Sequence, residues 1–274
     1  METRCSICGQ ARAFAWHPGL LKCGNCGYVW ADLDFSFDQA REIYAKSYFF
    51  GDEYIDYLAE SDILKFAFRK FERKLIALFP GRVEKPRLLE IGSAYGLFLD
   101  IAKEDFDATG LEISDDAAAF ARKNGHKIIQ ADLLSLGTAE EYDIVVSFAT
   151  LEHLLHPEEI MRQVYRLLKP GGYCYVTTID IESPFARLCG RKWRMIHPPT
   201  HVSYFSSRTL TALMKNAGFS VLECGPVWQY RSLDAALLPK YENSILYKAV
   251  NRSGLTRVPI PFNFGDIIGL LAKK

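Results

Sequence analysis

The sequence predicts an α/β protein in which a doubly wound sheet follows a small cysteine-rich module. Strand-like and helix-like segments alternate from about residue 86 onward, the pattern of a parallel sheet with helices on both faces. The first strand of this series runs into a turn that contains glycines. Four of the seven cysteines fall within the first 26 residues, which sets that part of the chain apart.

The composition narrows the class of protein. The 274 residues carry a formal net charge of zero, whereas a generic nucleic-acid binder is usually strongly basic. The N-terminal METRCSICGQ lacks the apolar stretch of a secretion signal, and no apolar run reaches the roughly 18 residues of a membrane span. We therefore expect a cytoplasmic protein without a membrane partner. The odd cysteine count argues against a disulfide framework.

Two Cys-x-x-Cys pairs, fourteen residues apart and each followed by glycine, have the spacing of a zinc ribbon. The predicted ligands of a structural Zn²⁺ are Cys5, Cys8, Cys23 and Cys26. Glycine after the second cysteine permits the tight turn that two thiolates need in order to share one metal. Free thiols and a redox dithiol are the alternatives. A ribbon of residues 1–34 could brace the main domain or contact a partner.

The remaining elements follow from apolar runs and helix-end signals. Ser114 is a suitable N-cap for a helix that Gly125 ends, and Pro170 to Gly172 stop a later helix. The predicted helices are 95–103, 115–124, 158–168 and an amphipathic one at 232–252. The predicted strands are 87–92, 107–113, 127–132, 142–148, 173–179, 219–224 and 266–272.

The turn after the first of these strands does not match a dinucleotide site. That site requires G-x-G-x-x-G, but Ala94 and Leu97 stand where the second and third glycines belong. The spacing that fits is E-x-G-x-x-x-G, formed by Glu90, Gly92 and Gly96. An acidic residue beside the turn disfavours a pyrophosphate and suits a ligand that carries an amino group or a positive charge.

Two further carboxylates follow the next two strands. Glu112 can accept hydrogen bonds from ribose hydroxyls, and Asp132 from an adenine amino group. Ligands of a doubly wound sheet bind beyond the carboxyl ends of its strands, where both acids are placed. The pattern therefore predicts an adenosine ligand without phosphates.

The chain resembles the class I S-adenosylmethionine-dependent methyltransferases of types 11 and 23. The segments that carry the resemblance span residues 86–226, and they are LLEIGSAYG (88–96), GLEIS (110–114), QAD (130–132), FATLEHL (148–154), RLLKPGGY (166–173) and HPPTHVSYFSSRTLTALMKNAGF (197–219). Ala94 departs from the family pattern, which usually has a third glycine there. We expect alanine to be tolerated.

The resemblance implies a Rossmann-like sheet of seven strands, the last of them antiparallel, within a domain of residues 86–274. Insertions on the acceptor side are expected near 181–205 and 227–261. The implied cofactor is S-adenosylmethionine (SAM), which leaves as S-adenosylhomocysteine. The implied cofactor-binding residues are Glu90, Gly92, Ser93, Gly96, Glu112, Ile113, Asp132, Leu133 and Ser147.

A connector of residues 35–85 lies between the ribbon and the sheet, and its segment 41–57 is rich in tyrosine. Related ribbon-bearing methyltransferases have a similar stretch. We interpret it as a lid in which Tyr44 and Tyr48 close over the cofactor. The alternative is a helix that packs an aromatic stripe on the core.

Histidines and basic residues are the candidates for the acceptor side. His153, just past the fourth strand, and His201, before the last helix of the resemblance, are candidate general bases. Either could instead be structural. Arg191, Lys192 and Arg194 around a tryptophan would suit an anionic or sugar-linked acceptor, although such clusters are more often plain surface.

The sequence thus predicts methyl transfer to a small molecule, with a hydroxyl of a sugar, polysaccharide precursor or secondary metabolite as acceptor. An RNA methyltransferase that uses the ribbon for RNA contact is the first alternative. The neutral charge and the absence of an N-P-P-Y turn after the fourth strand count against it. A SAM-binding partner protein without catalytic activity is the second alternative.

Overall fold

The computed structural model describes residues 4–33, 36–45, 49, 57–137, 141–232 and 258–274. Tyr48 and nearly all of the predicted helix 232–252 lie outside these residues. Within the described ranges, the helices all fall short of the length and apolar character that spanning a bilayer demands.

Seven helices and thirteen strands are defined in the described part of the chain. The helices are α1 (Phe37–Ile43), α2 (Ser61–Ile76), α3 (Leu97–Ala102), α4 (Asp115–Lys123), α5 (Pro157–Leu167), α6 (Pro184–Cys189) and α7 (Ser207–Asn216). The strands are β1 (Ala13–His17), β2 (Leu20–Cys23), β3 (Val29–Ala31), β4 (Arg87–Ile91), β5 (Asp107–Leu111), β6 (Lys127–Ile129), β7 (Tyr142–Phe148), β8 (Leu168–Ile179), β9 (Ser203–Tyr204), β10 (Ser220–Pro226), β11 (Gln229–Ser232), β12 (Pro259–Phe262) and β13 (Ile267–Lys273).

The central sheet has seven strands in the order β10-β13-β8-β7-β4-β5-β6. Five adjacent strands, β8, β7, β4, β5 and β6, pair in parallel. Strand β13 runs antiparallel to both of its neighbours, β8 and β10. The predicted seven-stranded sheet with an antiparallel last strand is confirmed. At its centre Ile144, Val145 and Val146 of β7 have no exposed surface, as expected for a parallel strand covered on both faces.

Two apolar layers sandwich this sheet because side chains alternate along each strand. On one face Leu88 and Ile144 pack with Leu75 of α2 and Phe98 of α3. On the other face Leu89 and Val145 pack with residues of α5 and α7. The helices thereby cover both faces of the sheet, whereas the ends of its strands stay available for a functional site.

Strand register brings three turns together at one edge. Ile91, the last residue of β4, lies opposite Leu111 of β5 and Ser147 of β7. The turns that follow these strands, residues 92–96, 112–114 and 149–153, therefore lie side by side. This edge is where a doubly wound sheet binds its ligand.

Two of the differences from the sequence prediction concern the points at which elements begin. β8 begins at Leu168 and runs through Pro170 to Gly172, because its first residue already pairs with Tyr142 of β7. Ser114 is the N-cap residue of α4, but its hydroxyl makes no capping bond. The backbone N–H of Ser114 instead donates to Glu112, so that carboxylate organises the start of the helix.

The cysteine-rich module does not stand apart from the rest of the protein. Its three strands form a four-stranded sheet with β9, in the order β1-β2-β3-β9. Its buried residues Cys5, Ile7 and Tyr28 share a hydrophobic cluster with Leu210 and Leu213 of α7.

Candidate cofactor and acceptor site

The turn after β4 has a left-handed backbone at three positions: Gly92 (φ 72°), Ala94 (φ 45°) and Gly96 (φ 79°). A Cβ at Gly92 would lie 2.5 Å from Oγ1 of Thr150, so glycine there allows the turn after β7 to pack against it. Ala94 is strained, since a left-handed residue with a Cβ costs about 1–2 kcal/mol. The family's usual glycine at this position is therefore explained by backbone conformation.

Gly96 has a packing role that the sequence did not indicate. A Cβ there would lie 2.7 Å from Cδ2 of His126, and the His126 Nε2 is 3.0 Å from a carboxylate oxygen of Asp100 on α3. Burial lowers the pKa of His126. His126 was not among the predicted residues, because nothing in its sequence position signals this contact.

Glu90 is a buried acid at this edge with an incompletely satisfied carboxyl group. Its side chain is 3% exposed, and among the described residues its Oε2 atom has no hydrogen-bond partner. Burial, and then repulsion from Glu112, raise the pKa of Glu90 well above its ordinary value. A buried carboxylate of this kind is stabilised by a cation. The α-amino group of SAM would provide one, so this residue fits the implied cofactor.

Glu112 is held by the backbone of the neighbouring turns. Its carboxylate accepts 2.7 Å hydrogen bonds from the N–H groups of Ala94 and Ser114. Each carboxylate oxygen has a second lone pair, which a ribose hydroxyl could use. Burial raises the pKa of Glu112, although the backbone bonds oppose this shift. Ile113 is half-buried beside it.

The other predicted cofactor residues lie at the same edge. Asp132 caps a short 3₁₀ turn by accepting from the Leu134 N–H at 3.0 Å, and Leu133 packs into the core. Ser93 and Ser147 are buried, and their hydroxyls have no partner among the described residues. By strand alternation, Ser147 faces the same layer as Val145, opposite to Glu90.

Helix α1 packs against this edge through Arg41 and through the residues that follow the helix. Arg41 contacts both carboxylate oxygens of Asp115 at 2.6 Å. Tyr44 and Phe49 form an apolar cluster with Tyr95, just after the glycine turn. The Tyr44 hydroxyl donates to the Thr200 carbonyl at 3.0 Å, and thereby links the end of α1 to the segment that contains His197 and His201.

Three histidines meet next to the turn after β7. The ring centroids of His153 and His201 are 4.7 Å apart, and those of His197 and His201 are 4.0 Å apart. His153 Nδ1 lies 2.8 Å from the carbonyl of Thr200, and His201 Nδ1 lies 2.8 Å from that of Met195. A carbonyl only accepts, so Nδ1 carries the proton in both rings and Nε2 is the lone-pair nitrogen.

Burial keeps both rings neutral. It lowers the pKa of His153 to about 4, and the pKa of His201 to about 2 with further repulsion from His153 and His197. The structure thus brings the two predicted histidines together in one neutral cluster. It also adds Glu152, a buried residue that the sequence analysis did not single out. Thr178 donates to its carboxylate at 2.8 Å.

Glu152, His153 and His201 each offer a ligand atom, and these atoms lie within 4.8 Å of one another. Two imidazoles and one carboxylate are a donor set that several divalent metals accept. The same groups can equally bind a hydroxyl by hydrogen bonds. Metal content is therefore one readout of the experiments below.

The predicted insertion after β8 contains α6 and a short 3₁₀ turn. Trp193 is fully buried, with its ring N–H 3.4 Å from a carboxylate oxygen of Asp266. Arg191, Lys192 and Arg194 are exposed around it. The tryptophan thus anchors a segment whose cations point outward.

The four N-terminal sulfurs form a compact cluster. Sγ of Cys5 is 3.5 Å from that of Cys26, and Sγ of Cys8 is 3.6 Å from that of Cys23. Four sulfurs around one Zn²⁺ at about 2.3 Å would be about 3.8 Å apart, which is close to these values. The four donor atoms all lie within 4.8 Å of one another, so the donor set and its geometry fit one tetrahedral Zn²⁺.

The two Cys-x-x-Cys-Gly turns that hold these sulfurs have the same backbone conformation at glycine. Gly9 and Gly27 have φ values of 70° and 80°, and their N–H groups donate to the carbonyls of Cys5 and Cys23. The glycines thus make the tight turns that their position after each pair predicted.

The chain is similar to known proteins over the sheet and its ligand edge. The family model described as "Methyltransferase domain" (Methyltransf_23) matches residues 63–224. The ubiquinone biosynthesis O-methyltransferase of Bordetella avium is 24% identical over 173 residues, which cover 56% of this chain and 72% of the relative. The malonyl-[acyl-carrier protein] O-methyltransferase of Calditerrivibrio nitroreducens is 26% identical over 117 residues, 42% of this chain and 48% of the relative.

Solved structures with the same fold extend the similarity along the chain. A SAM-dependent methyltransferase from Thermotoga maritima, described as a possible histamine N-methyltransferase, superimposes with a TM-score of 0.57 at 21% identity. The match covers 87% of this chain and all of that one. A SAM-dependent methyltransferase from Archaeoglobus fulgidus gives a TM-score of 0.55 at 20% identity, covering 80% and 99% of the two chains.

Proposed function

Because this chain belongs to the class I S-adenosylmethionine-dependent methyltransferase family, we propose that it transfers the methyl group of SAM to a hydroxyl of a small-molecule acceptor. A sugar, a polysaccharide precursor or a secondary metabolite would fit. The neutral pair of His153 and His201 beside the cofactor edge carries this proposal. The two relatives described above are O-methyltransferases by name.

The carboxylates at the ligand edge support a specific placement of SAM. Glu90 would bind the amino group of SAM and Glu112 its ribose hydroxyls, while Asp132 and Leu133 would contact the adenine. Gly92, Ser93, Gly96, Ile113 and Ser147 would line the same edge, with Tyr44 in the lid. When bound, SAM supplies an electrophilic methyl group on a positively charged sulfur.

The histidines would serve the acceptor. An acceptor oxygen that attacks the methyl carbon forms a C–O bond as the C–S bond breaks, and its own proton becomes strongly acidic. A neutral imidazole Nε2 can take that proton even when its pKa is about 2 to 4, because a protonated ether is a far stronger acid than an imidazolium. Most of the rate would come from alignment of the reactants and exclusion of water.

The exposed cations of the insertion support an anionic or sugar-linked acceptor. Arg191, Lys192 and Arg194 lie close in sequence to the histidine segment 197–201. Arginine and lysine at the rim of a cleft attract phosphate or carboxylate groups.

The experiment that tests the proposal uses SAM with a labelled methyl group and an extract of the organism that encodes the protein. We expect label in small-molecule or glycan fractions, and a loss of about 100-fold or more in rate for a variant that lacks the catalytic base, His153→Gln or His201→Gln. Glu90→Gln is the control for dependence on bound SAM. Label in ribonuclease-sensitive material would indicate an RNA methyltransferase instead. SAM binding without transfer to any fraction would indicate a non-catalytic partner protein.

We also propose that the cysteine cluster holds one structural Zn²⁺. Four thiolates fill a tetrahedral site and leave no position for catalysis. Elemental analysis is expected to find one zinc per chain, and none after the double substitution Cys5→Ser and Cys23→Ser. A zinc-loaded double variant would contradict the assignment. A second metal equivalent that disappears in His201→Gln would show that the histidine cluster also binds metal.

A further inference from the structure

The ribbon is joined to the segment that carries His201 by backbone pairing. Trp30 and Val29 of β3 pair with Ser203 and Tyr204 of β9. One residue further along, the Ala31 N–H donates to the Val202 carbonyl at 2.8 Å. β9 is only two residues long, so the ribbon supplies the sheet into which this segment fits.

The same residues reach the turn that carries His153. The Val202 N–H donates to the carbonyl of Glu152 at 2.8 Å. The Tyr28 hydroxyl donates to Ser203 Oγ at 2.9 Å, and that hydroxyl donates to the Leu154 carbonyl at 3.0 Å. A continuous chain of hydrogen bonds thus runs from the ribbon through Val202 and Ser203 to both sides of His153.

These links are buried and therefore restrictive. Tyr28, Val202 and Ser203 are each at most 2% exposed, so water cannot replace the hydrogen bonds they make. The Tyr204 hydroxyl, next in the chain, donates to the His201 carbonyl at 2.9 Å. The ribbon is thus linked to the backbone on both sides of His153 and to the backbone of His201.

We propose that the zinc ribbon is the positioning element of the acceptor site. By adding β9 to its sheet it fixes residues 201–203, and through Val202 and Ser203 it fixes the turn 152–154. His153 and His201 then keep their orientation only while the four cysteines hold their metal. The part that concerns acceptor chemistry rests on the proposed function, whereas the orientation of the rings can be measured without it.

The test compares full-length zinc-loaded protein with three variants. Ser203→Ala removes both hydroxyl links, Tyr28→Phe removes only the ribbon's link, and Ser203→Thr keeps the hydroxyl as the conservative control. The readouts are the imidazole ¹H–¹⁵N spectrum, amide hydrogen exchange of residues 202–204, and the affinity for SAM. None of these readouts requires the acceptor to be known.

In the wild type we expect His153 and His201 to give the spectrum of the Nδ1-protonated neutral tautomer. In Ser203→Ala we expect tautomer exchange and at least about tenfold faster exchange of amides 202–204, the scale for loss of a buried hydrogen bond. Tyr28→Phe is expected to give a smaller change in the same direction. SAM affinity should stay within about twofold, and Ser203→Thr should restore the spectrum.

Removal of zinc by a chelator from the wild type should reproduce the Ser203→Ala spectrum, and added zinc should reverse it. A histidine spectrum and amide protection that survive both zinc removal and Ser203→Ala would overturn the proposal. If chelation unfolds the whole protein, the proposal is tested by the zinc-loaded variants Ser203→Ala and Tyr28→Phe alone. If the rings respond but His153→Gln and His201→Gln transfer methyl at the wild-type rate, the histidine mechanism fails while the positioning role stands.

Discussion

At the scale of single residues, two features characterise the ligand edge. Buried polar groups there lack hydrogen-bond partners within the described part of the chain, and a glycine allows two turns to pack closely. Glu90 is buried beside a second carboxylate, with one oxygen that has no partner among the described residues. Gly92 makes room for Thr150. Both residues were predicted from the sequence as cofactor-binding residues, but the packing of Gly92 against Thr150 was not. The contact with Thr150 joins residues 58 positions apart, which spacing within one motif cannot reveal.

The raised pKa of Glu90 predicts that SAM binding releases a proton. Without a cation the protonated form is favoured, and an amino group in contact with the carboxylate favours ionisation, so affinity should rise with pH. At pH values below the raised pKa of Glu90, the gain can reach about tenfold per pH unit. Calorimetry in buffers of different ionisation enthalpy measures the released proton directly.

Glu112→Gln is the matched control. It should weaken SAM binding by roughly 1–3 kcal/mol, the scale of charge-assisted hydrogen bonds. It should retain most of the proton release, because burial rather than repulsion from Glu112 is the larger cause of the raised pKa of Glu90. Glu90→Gln should abolish the proton release. A binding enthalpy that does not depend on the buffer in the wild type would refute the role of Glu90.

At the scale of elements, two different interactions hold α1, the proposed lid, against the ligand edge. Arg41 and Asp115 make a short ion pair, but both are substantially exposed, at 36% and 68%. Pairs of that kind contribute about 0–1 kcal/mol. Burial of an aromatic side chain such as Tyr44 contributes about 1.5–3 kcal/mol. Apolar packing should therefore outweigh the ion pair.

Arg41→Ala is accordingly expected to change SAM affinity by less than about fivefold. Tyr44→Ala should weaken it by about 10-fold or more, because it removes apolar contacts and the bond to Thr200. Measurements at low and high salt separate the two effects, since only the Arg41 contribution should be screened. An unchanged SAM affinity for Tyr44→Ala would show that α1 does not close over the cofactor.

The sequence predicted the elements of the sheet well because each carries its own local signal. Apolar strands, helix-ending glycines and acids at strand ends can each be recognised from a few consecutive residues. β9 was not predicted, because two residues form it only by pairing with β3 from the far end of the chain. The histidine cluster was only partly predicted. His153 and His201 were identified from the sequence and Glu152 was not, and the contact between the two rings depends on the irregular segment around Pro198 and Pro199.

At the scale of the whole molecule, buried acids give the stability a distinct dependence on pH. Glu72 on α2 is 3% exposed, and burial, with help from Asp105, raises its pKa to about 7. In the unfolded chain a glutamate titrates near pH 4.3. The folded state thus binds a proton more tightly, and this contribution is complete below about pH 4 and is lost as pH rises to about 7.

Glu72→Gln should therefore stabilise the protein at pH 8 relative to the wild type, by about 1–3 kcal/mol, and have little effect at pH 4. Denaturant unfolding at several pH values gives the difference curve. The control is Glu84→Gln at an exposed loop position, for which we expect a flat difference. A flat curve for Glu72→Gln as well would contradict the buried environment of that carboxylate.

The pairing of β3 with β9 also has a consequence for synthesis of the chain. Tyr28 and its partner Ser203 are 175 residues apart. At about 5–20 residues per second, a ribosome needs roughly 10–35 seconds to make that stretch. Throughout this interval the edge of β3 has no β9 to pair with, and an open strand edge invites pairing with other chains. Early binding of zinc by the cysteines would order the ribbon, and with it the edge of β3, until β9 has been synthesised.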